Sequence, residues 1–106
     1  MADDFYTSEK WRRKRLAILK RDGYQDQVEK RYGKTVEATI VHHIFPLDTY
    51  PEYRLADWNL VSVSFATHNR LHDRETDELT ELGVELLRRV ARKNNIAIPF
   101  KYMEQR

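Results

Sequence analysis

The chain has 106 residues, 34% of them charged, with a net charge of +2, three glycines, three prolines and no cysteine. That length suits a single domain around one small core. The lack of cysteine excludes a disulfide framework or a thiolate metal site, and no segment approaches the roughly 20 apolar residues of a membrane span.

The opening Met1-Ala2-Asp3-Asp4 carries no apolar stretch, so it does not read as a secretory signal, and a cytoplasmic protein is expected. Thr7 or Ser8 can N-cap a first helix with Glu9 in its first turn, and Gly23 suits the position just past its end. Within it Trp11, Arg15 and Ile18, with Leu16 and Leu19 alongside, form a helical stripe. From Lys10 to Arg21 there are seven basic residues and no acid. Such a face suits a polyanion, and a solvated amphipathic helix has the same pattern. Residues 24–34 read as turn.

The β-branched run Val36, Thr39, Ile40, Val41, Ile44 reads as a strand over Val36–Ile44, ended by Pro46, which has no ladder donor. Residues 47–58 look like a long polar loop, in which Tyr50, Tyr53 and Arg54 can contact a ligand or pack. A second strand, Asn59–Val63, follows. Ser64 can cap a short helix through Asp73. A last helix over about Asp77–Asn94 would bury Leu79, Leu82, Leu86, Leu87 and Val90, and the tail from Ile96 to Phe100 would pack back on it. Six acids against Arg74 alone mark the stretch Asp73–Glu85. No repeat or linker is visible, and Trp11 and Trp58 read as core.

All four histidines lie in one stretch: His42-His43, then His68 and His72, with Asn59 between the pairs. Imidazole is both a ligand for borderline metals and a proton acceptor near neutral pH. An adjacent pair therefore suggests one ligand beside one base. His68 and His72, at i and i+4, would share a helix face. Neighbours on a strand point to opposite faces, so His42 and His43 can serve one site only where the strand ends or bulges. Pro46 is consistent with such an end.

The strand-loop-strand-helix order, with Val41-His42-His43-Ile44-Phe45-Pro46, Trp58-Asn59-Leu60-Val61 and His68-Asn69-Arg70-Leu71-His72, resembles the HNH nucleases and their ββα-metal motif. The likeness runs from about Trp11 to Arg74 and includes Leu19-Lys20-Arg21-Asp22-Gly23-Tyr24; the small phage-type members are most similar. It implies an α+β fold filling 1–106 as one domain, with the ββα-metal core at about 36–73. A basic helix would precede that core, and a C-terminal helix would pack on it. The implied activity is metal-dependent hydrolysis of DNA phosphodiester bonds. By the same resemblance His43 is the general base, and His42, His68 and His72 are ligands of one divalent ion, Zn, Ni, Mn or Mg. Asn59 braces the loop that holds His43. His72 can instead cap the helix end, and Asn59 can be an ordinary turn residue.

Arg12, Arg13, Arg15, Lys20 and Arg21 would grip DNA. Phage-type relatives imply a partner in the terminase packaging machinery and a bacterial host cell. Many of them also bind a structural zinc through two Cys-x-x-Cys pairs. Here the matching positions are Asp26, Glu29, Ser64 and Thr67, so no structural zinc is expected, and these four should sit together without one. Two other readings remain: a nucleic-acid-binding module with a degenerate nuclease site, and a histidine-rich metal-sensing protein. The first leaves the complete His42, His43, Asn59, His68 set without a purpose; the second leaves the basic helix without one.

Overall fold

The structure, a computed structural model, describes residues 2–104. Helix α1 (Ala2–Tyr6) is followed by α2 (Glu9–Arg21), α3 (Gln27–Arg31), β1 (Ile40–His43), β2 (Leu60–Val63), α4 (Phe65–Leu71) and α5 (Glu81–Lys93). Short 3-10 turns occupy Pro51–Tyr53, Asp57–Asn59 and Phe100–Tyr102. Backbone contacts divide the chain into two compact units, Met1–His68 and Asn69–Arg106, and the division falls inside α4.

In the first unit Ser8 caps α2 by accepting from the Trp11 N–H. The helix ends on Gly23 with φ 63°, where Tyr24 N–H reaches Leu19 O and Gly23 N–H reaches Lys20 O. That pair of bonds is a Schellman closure, and glycine carries no Cβ penalty there. Trp11, Ile18 and Leu19 pack with Ala38, Val41 and Leu60 as the core, while Leu16 stays 46% exposed, outside the expected stripe.

Three local differences from the sequence expectation have physical causes. Residues 24–34 hold a helix, α3, because the Asp26 carboxylate accepts from both Val28 N–H and Glu29 N–H and so starts a turn. The first strand is shorter than Val36–Ile44. Val36 O accepts from Asp26 N–H and Ala38 N–H donates to Tyr24 O, so this stretch bonds to residues 24–26 instead of β2. Asn59 lies in the 3-10 turn, so β2 begins at Leu60. The two strands are antiparallel, with Ile40↔Val63, Val41↔Ser62, His42↔Val61 and His43↔Leu60 as partners.

The second unit is organised by α5. Thr80 caps it, accepting from Gly83 N–H, so the helix starts at Glu81 and not near Asp77, which has a left-handed φ of 60°. Leu86, Leu87 and Ala91 are buried. Tail packing falls to Tyr102, whose carbonyl accepts from Arg88 Nε at 2.6 Å; Phe100 is 85% exposed.

Candidate active site and metal centre

Alternation along β1 sends its two histidines to different faces, with no bulge in the register. His43, on the face of Val41, is 7% exposed and stacks on the Trp11 indole, centroids 4.9 Å apart and planes 23° off parallel. Phe5 and Tyr6 of α1 meet the same imidazole edge-on. Its Nε2 lies 3.1 Å from Arg54 O. A carbonyl only accepts, so the neutral ring carries its proton on Nε2 and its lone pair on Nδ1. Burial holds the imidazole below the ordinary histidine range, against the opposing effect of the Arg54 carbonyl. His43 is therefore a neutral acceptor at neutral pH.

His42, 1% exposed, meets the His68 ring edge-on at 5.4 Å. Helix α4 carries His68, and His72 follows its last residue, so the i, i+4 spacing delivers both to one side. One ring nitrogen from each of His42, His68 and His72 lies within 4.8 Å of the others. Nitrogens sharing one ion, each about 2.1 Å from it, sit no more than about 4.2 Å apart. The bound on their separation is close to that limit, and three imidazoles suit a borderline divalent cation.

Asn59 is fully buried, and its amide makes three bonds to the loop after β1. Oδ1 accepts from Phe45 N–H at 2.7 Å, and Nδ2 donates to Phe45 O and Tyr53 O at 3.3 and 3.2 Å. Tyr53 precedes Arg54, whose carbonyl meets His43. Tyr50 and Tyr53 pack into a cluster with Phe45, and Trp58 lies against both Phe45 and Tyr53.

Among solved structures, the chain matches the HNH endonuclease of the deep-sea thermophilic bacteriophage GVE2, crystallised with a manganese ion. The two are 43% identical, with a TM-score of 0.64 over 65% of this chain and 75% of that one. The chain belongs to the HNH endonuclease family. It is accordingly an enzyme, a nuclease. No family model and no curated protein sequence matches it. Among the described residues, no helix of this HNH family member is long and apolar enough to cross a membrane.

Of the four positions Asp26, Glu29, Ser64 and Thr67, expected from the sequence to sit together, the last three donate to the carboxylate of the first. Asp26, fully buried, accepts from Val28 N–H and Glu29 N–H through Oδ1 and from Ser64 N–H at 2.8 Å through Oδ2, with a further bond from Thr67. Ser64 Oγ in turn accepts from Thr67 N–H and caps α4. The Glu29 carboxylate lies 3.7 Å from Lys34 Nζ.

The basic helix α2 divides in two. Arg12, Arg13 and Lys20 are exposed, Arg12 with Glu9 at 3.1 Å. Arg15 donates to Thr39 O and Arg21 to Asp57 O and Leu60 O, so both guanidinium groups are tied into the fold. Sequence reasoning considered only the Arg54 side chain and not its carbonyl, which meets His43, and read Trp11 only as core. A backbone carbonyl leaves no residue signature; a tryptophan at helical spacing looks the same whether or not it stacks on a functional ring.

Proposed function

We propose that the protein is a metal-dependent DNA endonuclease in which His43 accepts the proton of the attacking water. His42, His68 and His72 hold one divalent cation. The observation that carries this reading is the convergence of three imidazole nitrogens within 4.8 Å, with a fourth imidazole on the next residue of β1 bonded through Nε2 to a carbonyl. The GVE2 relative supports manganese as one such cation, and membership of a nuclease family supports a nucleic-acid substrate, which we take to be DNA.

A bound cation supplies Lewis-acid stabilisation of the charge that develops on the phosphate and the departing oxygen. The rest of the chemistry belongs to the chain. His43, neutral and with its lone pair on Nδ1, is a general base typically worth about 10²–10⁴-fold. Trp11 fixes the plane of the ring and Arg54 O its tautomer. Strand β1 ends at His43 and pairs on one edge only. The exposed Arg12, Arg13 and Lys20 are the proposed contacts to flanking phosphates.

The test is plasmid nicking with Mn²⁺ and with EDTA, alongside calorimetric metal titration. His43→Ala should lose cleavage and keep metal affinity; His42→Ala and His68→Ala should lose both. Cleavage by His43→Ala at the parent rate ends the base reading, and full metal binding by His42→Ala removes that residue from the ligand set.

A further inference from the structure

One guanidinium holds both sides of Asn59. Arg21, the last residue of α2, donates Nη1 to Asp57 O at 2.8 Å and Nη2 to Leu60 O at 2.7 Å. Its Nε and Nη2 also bind the Asp22 carboxylate, at 2.9 and 3.1 Å. That carboxylate is 8% exposed, and its Oδ2 accepts from Ser62 N–H at 3.0 Å. Helix, turn and strand β2 are thus joined through a single charged pair. A planar fork with fixed donors suits two carbonyls and a carboxylate at once; an ammonium on a flexible stem does not.

The network continues inward. Asn59 O accepts from Ile44 N–H at 2.8 Å, and its side chain fastens Phe45 and Tyr53. Arg54, next along, presents its carbonyl to His43. The Lys14–Asp57 pair at 2.6 Å reaches the same turn, but Asp57 is largely exposed, and such a pair holds little.

We propose that Arg21 and Asp22 form a positioning pair for His43, acting through Asn59 and the Arg54 carbonyl, and that Arg21 does not serve as a phosphate contact. The proposal rests on His43 being the general base. Small displacement of a base relative to the reacting atoms costs rate while leaving substrate binding intact.

Arg21→Ala, Arg21→Lys, Asp22→Asn and Asn59→Ala would be compared in single-turnover nicking with Mn²⁺, with Arg13→Ala as the reference for a phosphate contact. Arg21→Ala should lower kcat by roughly 10- to 100-fold with KM, metal affinity and the salt dependence of DNA binding unchanged. Arg21→Lys, which keeps the charge and loses the fork, should fall equally. The Arg21→Ala/Asn59→Ala double variant should be no slower than the worse single one, as expected for groups acting along one line. Restoration of kcat by lysine, with a raised KM and a salt slope reduced by about one in Arg21→Ala, would instead make Arg21 a phosphate contact and overturn the proposal. Fully additive losses in the double variant would overturn it too. Should Arg21→Ala fail to fold, Asp22→Asn decides: a folded variant with unchanged kcat refutes the pair. Failure of the base reading is separate, because it appears as parent-rate cleavage by His43→Ala whatever Arg21 does.

Discussion

His42 and His43 share a residue type and a peptide bond, and almost nothing else. One sits among imidazoles; the other lies on an indole with Nε2 against a carbonyl. Both were visible in the sequence because four histidines and an asparagine in fixed order are rare chemistry. That they take opposite faces follows from strand alternation. What holds His43 was not visible, since Arg54 contributes only a main-chain oxygen. Asn59 is the residue on which that arrangement turns. Asn59→Ala leaves the buried Phe45 N–H without its acceptor, which costs about 1–3 kcal/mol. Urea denaturation should show that loss, and nicking activity should fall further than stability accounts for, because the loop bearing the Arg54 carbonyl is released. A fully stable Asn59→Ala with parent activity would make the asparagine an ordinary turn residue.

At the scale of elements, polar side chains decide where helices begin, and sequence periodicity does not see them. Helix α3 was missed because five residues carry too little pattern, whereas Asp26 as a double acceptor is a complete start signal. The strand expected over Val36–Ile44 is shorter because Val36 and Ala38 bond to residues 24–26, while Thr39 N–H still reaches Val63 O. Burial alone would raise the Asp26 pKa, but bonds from Thr67, Glu29 N–H and Ser64 N–H outweigh it and hold the group below its ordinary 3.8. The unfolded chain then takes up the proton first as pH falls. The stabilisation is whole above the ordinary value and disappears as pH drops through the lower folded one. Asp26→Asn cannot titrate and turns an amide donor toward Ser64 N–H or Glu29 N–H. It should be less stable at neutral pH by about 2 kcal/mol or more, with a flatter decline of stability in acid than the parent shows. A parallel pair of stability–pH curves would remove Asp26 from this role. In the second unit, Gly83 lies inside α5, where alanine normally stabilises by about 1 kcal/mol. Here a Cβ would run into the Leu71 carbonyl, which accepts from Thr80 N–H, so Gly83→Ala should instead lower the melting temperature.

For the whole molecule the question is what the metal does for the fold. A structural zinc contributes about 10–16 kcal/mol of apparent binding energy in small zinc peptides, comparable with or above the roughly 5–15 kcal/mol total stability of a domain. At the positions where the family resemblance leads one to look for zinc-binding cysteines, this chain has Asp26, Ser64 and Thr67 joined by hydrogen bonds, and the Asp26 carboxylate receives donors from the backbone of α3 and from Ser64. Hydrogen bonds of this kind need no ion, and the expectation is that the fold at that point does not wait for one. The proposed histidine ligands, by contrast, include His42 on the paired strand β1 and His68 on helix α4, elements held by their own backbone hydrogen bonds. Metal there binds a formed site and adds only its linkage energy, about 2.7 kcal/mol at 100 times the dissociation constant. Chelation should therefore abolish nicking while the chain stays folded and melts a few degrees lower, and readdition of Mn²⁺ should restore cleavage at once, without refolding. Elemental analysis of the Mn²⁺-loaded protein should give one ion per chain, and His68→Ala should give none. Two tightly held ions, or loss of the far-ultraviolet dichroism on adding EDTA, would mean that the Asp26 cluster binds metal after all.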